Sequence, residues 1–126
     1  MEKIVYDANF CIMTDFFRMT GGKWKSVILY LIRKDINRFS LLMDAMPTIS
    51  KKVLTQQLRE MEQDGLLIRD VLVAKAPMVV VYHLTEKGKS LRQLIDGIIE
   101  WNKHYFRLEF KKIADNKNPL ILSKRI

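Results

Sequence analysis

The 126-residue chain contains one cysteine, three prolines, five glycines and two histidines. A single thiol excludes an internal disulfide framework. No apolar run approaches the roughly 18 residues a membrane span requires; the longest is Val27 to Ile32. The N-terminus carries Glu2 and Asp7 early and no apolar stretch, so no secretory signal is expected. No membrane partner is expected, and the lone thiol points to the reducing cytoplasm.

Catalytic signatures are missing too. There is no Gly-rich phosphate loop, no Cys-x-x-Cys pair and no His-Glu-x-x-His. His83 and His104 fall in a predicted strand and a predicted helix without a ligand set beside them, which favours structural roles. Carboxylates stand mostly beside basic residues and form no evident acid–base pair. The chain is expected not to be an enzyme and to need no metal or cofactor.

What is abundant is positive charge. Twenty-two Lys and Arg face 14 Asp and Glu, a formal net charge of +8. A hydrophobic fraction of 48% fits a globular domain. Such a charge favours a polyanionic partner, nucleic acid or an anionic membrane face, unless it serves solubility alone.

The few breakers divide the chain into elements. Apolar spacing predicts a first helix over Phe10–Met19, stopped by Gly21-Gly22, and a second over Lys23–Lys34. Asn37–Phe39 is too short for more than an extended bridge. Ser40 is a plausible N-cap for a third helix, Leu41–Met46, which Pro47 ends. Ser50 caps a fourth helix reaching Gly65, with Val53, Leu54, Leu58 and Met61 inward. Leu66–Ala74 and Met78–Leu84, joined through Lys75-Ala76-Pro77, predict a β-hairpin. Thr85 opens a long fifth helix through Phe106, which Gly88 and Gly97 weaken without ending. Its apolar stripe is wider than a small domain's own core needs. Asn116–Pro119 then breaks the chain before a basic tail.

That order is a winged helix-turn-helix, α+β but mostly α, with a long C-terminal helix added. Pro47-Thr48-Ile49 is the turn. We expect a single domain over 1–126, its core at about 10–105 and its basic tail at about 115–126.

The fourth helix carries an unusual charge order. Lys51 and Lys52 stand in its first turn, and Glu60, Glu62 and Asp64 near its end. Each opposes the helix dipole, at about 0.3–1 kcal/mol for an exposed site. Phosphate at the N-terminus would explain the lysines. Thr55, Gln56 and Arg59 project from the outer face. Gln suits adenine, Arg suits guanine, and the Thr methyl suits thymine. A plain solvated face is the alternative. Lys23, Lys25 and Arg38 precede or open other helices and have the character of phosphate contacts.

Taken together, Gly21-Gly22-Lys23-Trp24-Lys25, Arg38-Phe39-Ser40, Ile49-Ser50 with Lys52, Leu54 to Glu60, Asp64-Gly65-Leu66, Tyr82, Leu84-Thr85-Glu86, Gly88 and Trp101 resemble the HxlR-type family of bacterial winged helix-turn-helix regulators, which are MarR-like. The resemblance covers about residues 10–105. It implies a homodimer on an inverted-repeat operator in double-stranded DNA, with Ser50 and the cations above at the interface. It also implies dimerisation through the first and last helices, which places Phe16, Leu94, Ile98, Trp101 and Tyr105 between protomers. Two departures stand out. Val79 and Val81 occupy positions of the second hairpin strand that are usually a basic residue and an acid, so the wing's contact is expected to rest on Lys75. Ile12 replaces the proline that commonly follows the family's N-terminal cysteine.

That cysteine is Cys11. Some similar proteins use it to sense a small reactive electrophile or an oxidant, and a thiol near a helix N-terminus has a lowered pKa. The other reading is a buried small hydrophobe beside Phe10 and Ile12. For the whole chain the alternative function is a winged-helix protein-interaction module, which would not require cations at two helix N-termini.

Overall fold

A computed structural model of the chain describes residues 2–7, 9, 11–106, 108–110 and 122–125. The elements run α1 (Ile12–Thr20), α2 (Lys25–Arg33), α3 (Phe39–Ala45), α4 (Lys51–Gln63), β1 (Leu67–Val73), β2 (Val79–Leu84), α5 (Glu86–Ser90), α6 (Arg92–Phe106), β3 (Leu108–Phe110) and β4 (Leu122–Arg125). They fall into two compact units, residues 1–89 and 90–126.

In the first unit α2 is the central helix. Ile28 through Ile32 are all buried, as expected of a helix apolar on nearly every side. It starts two residues later than the sequence predicts, because Gly22, at φ +77, and the two residues after it form a turn. Its end has no glycine to announce it. Asp35 adopts φ 65, and the amides of Asp35 and Ile36 donate to Ile32 and Leu31. That is the Schellman pattern, closed here by an aspartate.

Arg38 is extended and bridges to Val81 of β2, while the Tyr82 amide donates to the Asn37 carbonyl at 2.8 Å. The expected bridge at 37–39 is therefore a short third pairing on the hairpin. This pairing corrects the cap of α3. Helix begins directly after the bridge, at Phe39, with Arg38 in the cap position and no side-chain cap; Ser40 lies inside the helix. Met46 and Ile49 are buried on either side of Pro47 and Thr48 and seat the turn between α3 and α4.

α4 ends as its sequence indicates. Ser50 Oγ accepts from the Val53 amide at 3.1 Å, the bond an N-cap serine supplies. Gly65 has φ +77; its amide donates to Glu62, and the Leu66 amide donates to Met61. Leu54, Leu58, Met61 and Leu66 are fully buried, so the inner stripe and the closing turn share one core.

β1 and β2 pair antiparallel, Leu67 against Leu84 through Val73 against Val79, with an irregularity at Val71–Val73 and a cis Ala76–Pro77 bond in the connection. The Thr85 amide donates to Leu66, its hydroxyl donates to Gly65, and the same hydroxyl accepts from Gly88. Gly88 lies against the Leu66 carbonyl, where a Cβ would collide. The expected single long helix is therefore two. α5 is committed to this stitch, and helix resumes at Arg92 after Leu91. Gly88 and Ser90 are weak helix formers just where the break falls.

In the second unit α6 is followed by β3, which pairs with β4 through Leu108 and Arg125. Part of the basic tail is thus strand; residues 115–121 and 126, and the break expected at Asn116–Pro119, lie outside the described residues. Leu94, Ile98, Trp101 and Tyr105 lie at helical spacing along α6 and are each more than half exposed. The Trp101 and Tyr105 rings are 5.0 Å apart. On α1, Ile12, Met13 and Phe17 are likewise exposed, and half-buried Phe16 meets Phe17 edge to face at 5.3 Å.

Candidate nucleic-acid interface

The outer face of α4 carries Lys51, Lys52, Thr55, Gln56, Arg59, Glu60 and Gln63 on one shallow concavity. Lys51, Lys52, Gln56 and Arg59 are exposed. Thr55 is half-buried, and its hydroxyl donates back to the Lys51 carbonyl at 2.8 Å. That bond uses its hydrogen locally and leaves the hydroxyl oxygen as an acceptor beside the methyl.

Beside this face lies a groove of about 700 Å³, lined by α3, α4 and the hairpin. Arg38, Lys51, Arg59 and Arg69 line it, against one carboxylate, Glu62. Each of the four is placed by a different constraint: the bridge to Val81 for Arg38, the first turn of α4 for Lys51, its third turn for Arg59, and register opposite Tyr82 for Arg69. None of the four is ion-paired with a carboxylate among the described residues. Positive charge gathered in a concavity raises local potential more than the same charge spread over a convex surface.

Arg69 was missed by the sequence reading, which left the wing's charge to Lys75. Lys75 is indeed exposed in the connection between the strands, but the root of the wing contributes Arg69 as well. The signal that could have found it is alternation: in β1 Arg69 is two residues from buried Leu67.

Lys25 departs most from expectation. It is only 8% exposed, and its Nζ lies 2.8 Å from Glu60 Oε2 and 3.2 Å from the Arg18 carbonyl. An ammonium leaves water only when paired and hydrogen-bonded, and both conditions are met inside the protein. Lys25 is therefore a brace between α1, α2 and α4 and not a surface cation. Lys23, by contrast, is exposed, with Nζ 5.1 Å from the Trp24 ring.

The same contacts revise the meaning of the acids at the end of α4. Glu60 serves Lys25, and Asp64 pairs with Arg18 of α1 at 3.0 Å. Hydrogen bonding to Lys25 holds the Glu60 carboxyl below its ordinary range, against some desolvation. Two of the three carboxylates that oppose the dipole are thus fixed by tertiary partners. Lys51 and Lys52, in the first turn of α4, have no ion pair with a carboxylate among the described residues.

Cys11 occupies the N-cap position of α1 and is half-buried. The amide and hydroxyl of Thr14, then the amide of Met13, lower its thiol pKa, against desolvation and Asp15. The packing expected of a core cysteine is not seen on its C-terminal side, where Ile12 is 83% exposed; Phe10 lies outside the described residues.

Comparison with known proteins gives a consistent result. The model of the HxlR-like helix-turn-helix family matches residues 19–110. An HTH-type transcriptional regulator from Methanothermobacter thermautotrophicus is 39% identical over 99 residues, 79% of this chain and 75% of that protein. The crystal structure of the HTH-type regulator YtcD, a Bacillus subtilis protein, superposes with a TM-score of 0.70 at 38% identity, covering 76% of this chain and 97% of that one. The reduced form of the transcriptional regulator YodB from B. subtilis gives a TM-score of 0.64 at 31% identity, covering 76% and 94%. YodB has also been solved treated with diamide and bound to quinone. With its helix-turn-helix, hairpin wing and C-terminal helix, the chain belongs to the HxlR family and is a DNA-binding transcriptional regulator.

Proposed function

We propose that the chain acts as a homodimer on an inverted-repeat operator. Each α4 lies in a major groove, and the phosphate backbone runs into the cavity between α4 and the wing. The observation that carries this reading is the gathering of Arg38, Lys51, Arg59 and Arg69 in one groove beside the outer face of α4. Ser50, through its cap, fixes the N-terminal turn whose amides and lysines meet phosphate. Lys52, Lys23 and Lys75 add contacts that fix position without reading sequence. Thr55, Gln56 and Arg59 read bases. Lys25 has no part in the contact. Successive major grooves put the two reading helices about 34–36 Å apart.

In-vitro selection of bound DNA should return a symmetric motif. Gln56→Ala or Arg59→Ala should relax preference at one position per half-site by about 1–3 kcal/mol. A motif unchanged in both variants would remove α4 from base reading. Selection that returns no motif at all would favour the protein-interaction module.

A second reading concerns the effector. We infer that Cys11 reacts with a small electrophile or oxidant and that DNA affinity changes as a result. Its support is the lowered thiol pKa at the start of α1 together with the diamide and quinone forms of YodB. A lowered pKa puts thiolate, the nucleophile, at lower pH than for an ordinary cysteine. Alkylation of Cys11 should therefore rise with pH through a midpoint below that of an ordinary cysteine thiol. Diamide or quinone should shift mobility-shift affinity in the native protein and leave Cys11→Ser unmoved. An equal response in that variant would sink the idea.

A further inference from the structure

We propose that Glu60, anchored by buried Lys25, is a positioning residue that fixes which way the Gln56 amide faces and so narrows the base Gln56 accepts. The inference rests on Gln56 being a base-reading residue, as proposed above.

Gln56 and Glu60 are one turn apart on α4, and Gln56 Nε2 donates to Glu60 Oε1 at 3.3 Å. The other carboxylate oxygen, Oε2, is 2.8 Å from Lys25 Nζ. Lys25 in turn donates to the Arg18 carbonyl at the end of α1. Three links thus run from the backbone of α1 to an exposed amide on the reading face.

An ionised carboxylate only accepts hydrogen bonds, whereas a glutamine amide has a donating and an accepting end. The amide nitrogen is therefore drawn to Glu60 and the amide oxygen repelled. Lys25 keeps the carboxylate charged and in place. The nitrogen's second hydrogen and the oxygen then face outward in one fixed order. Adenine presents an acceptor, N7, beside a donor, N6–H, and accepts the pair in one order only. Without Glu60 the amide turns over freely and offers both orders.

Glu60→Gln tests this. The new amide has one oxygen, which Lys25 claims, so its nitrogen faces Gln56 and the acceptor that draws the Gln56 nitrogen is lost while the packing is kept. Base preference is measured by DNA selection and competition with the full chain for the native protein, Gln56→Ala, Glu60→Gln and the double variant. The native protein should favour one base at the Gln56 position by roughly ten-fold or more. Glu60→Gln should reduce that preference to near the level of Gln56→Ala, at the same position, and the double variant should be no worse than Gln56→Ala. A Glu60→Gln protein that weakens all sequences alike and keeps its preference overturns the positioning role alone. A Gln56→Ala protein with native preference overturns the base-reading role, and this proposal with it. If Glu60→Gln does not fold, Glu60→Gln combined with Lys25→Met leaves no buried charge unpaired, and the same comparison is made with it.

Discussion

Replacing Ile98 by glutamate is expected to yield a folded monomer that binds its operator about 10²–10⁴ times more weakly than the native protein. Leu94, Ile98, Trp101 and Tyr105 form an apolar stripe on α6, each more than half exposed. A stripe of that kind is covered when two protomers meet, and a two-fold axis brings the same patch of both subunits together. With α6 as the proposed interface, one substitution places two carboxylates in apolar surroundings. Two half-sites joined in one protein gain their affinity from effective concentration. A monomer holds each half-site alone and loses that gain. Sedimentation at micromolar concentration reads the first effect and a mobility shift the second. A variant that still sediments as a dimer would show that α6 is not the interface.

The second large effect concerns salt. Lys51→Ala combined with Arg69→Ala removes two groove cations per protomer and four per dimer. At about 0.9 for each phosphate contact, the slope of log affinity against log salt should flatten by about 3.6. Between 50 and 200 mM salt that makes the variant roughly a hundred-fold less sensitive than the native protein. The pair is chosen because Lys51 lies on α4 and Arg69 on the wing. If Arg69→Ala alone leaves the slope unchanged, the backbone follows α4 only and the wing stands clear of it.

How much of this was legible in the sequence depends on the range of the interactions involved. α4 could be read nearly whole because its signals are local: Ser50 caps three residues ahead, and Gly65 closes the last turn. The hairpin was legible from its two apolar runs. Ser40 was misread as a cap because the start of α3 is set by a bridge to Val81, far along the chain. The break at Leu91 follows from the stitching of Thr85 and Gly88 to the end of α4, again a tertiary matter. The outer face of α4 was visible as polar chemistry, but the groove beside it was not. Arg69 becomes part of the site only when the hairpin folds against α4. The reversed charge order of α4 was noticed correctly and explained only in part, since Arg18 and Lys25, which take up Asp64 and Glu60, lie 46 and 35 positions earlier.

Those two ion pairs have a mechanical consequence. Arg18 holds Asp64, and Lys25 ties the Arg18 carbonyl to Glu60, so the end of α1 is fastened to α4 at two points about one turn apart. A single fastening is a pivot, while two form a clamp. Both fastenings meet α1 at Arg18, one through its side chain and one through its carbonyl, so that residue is where the end of α1 joins the last turn of α4. The helix that follows Cys11 is in this sense a handle on α4.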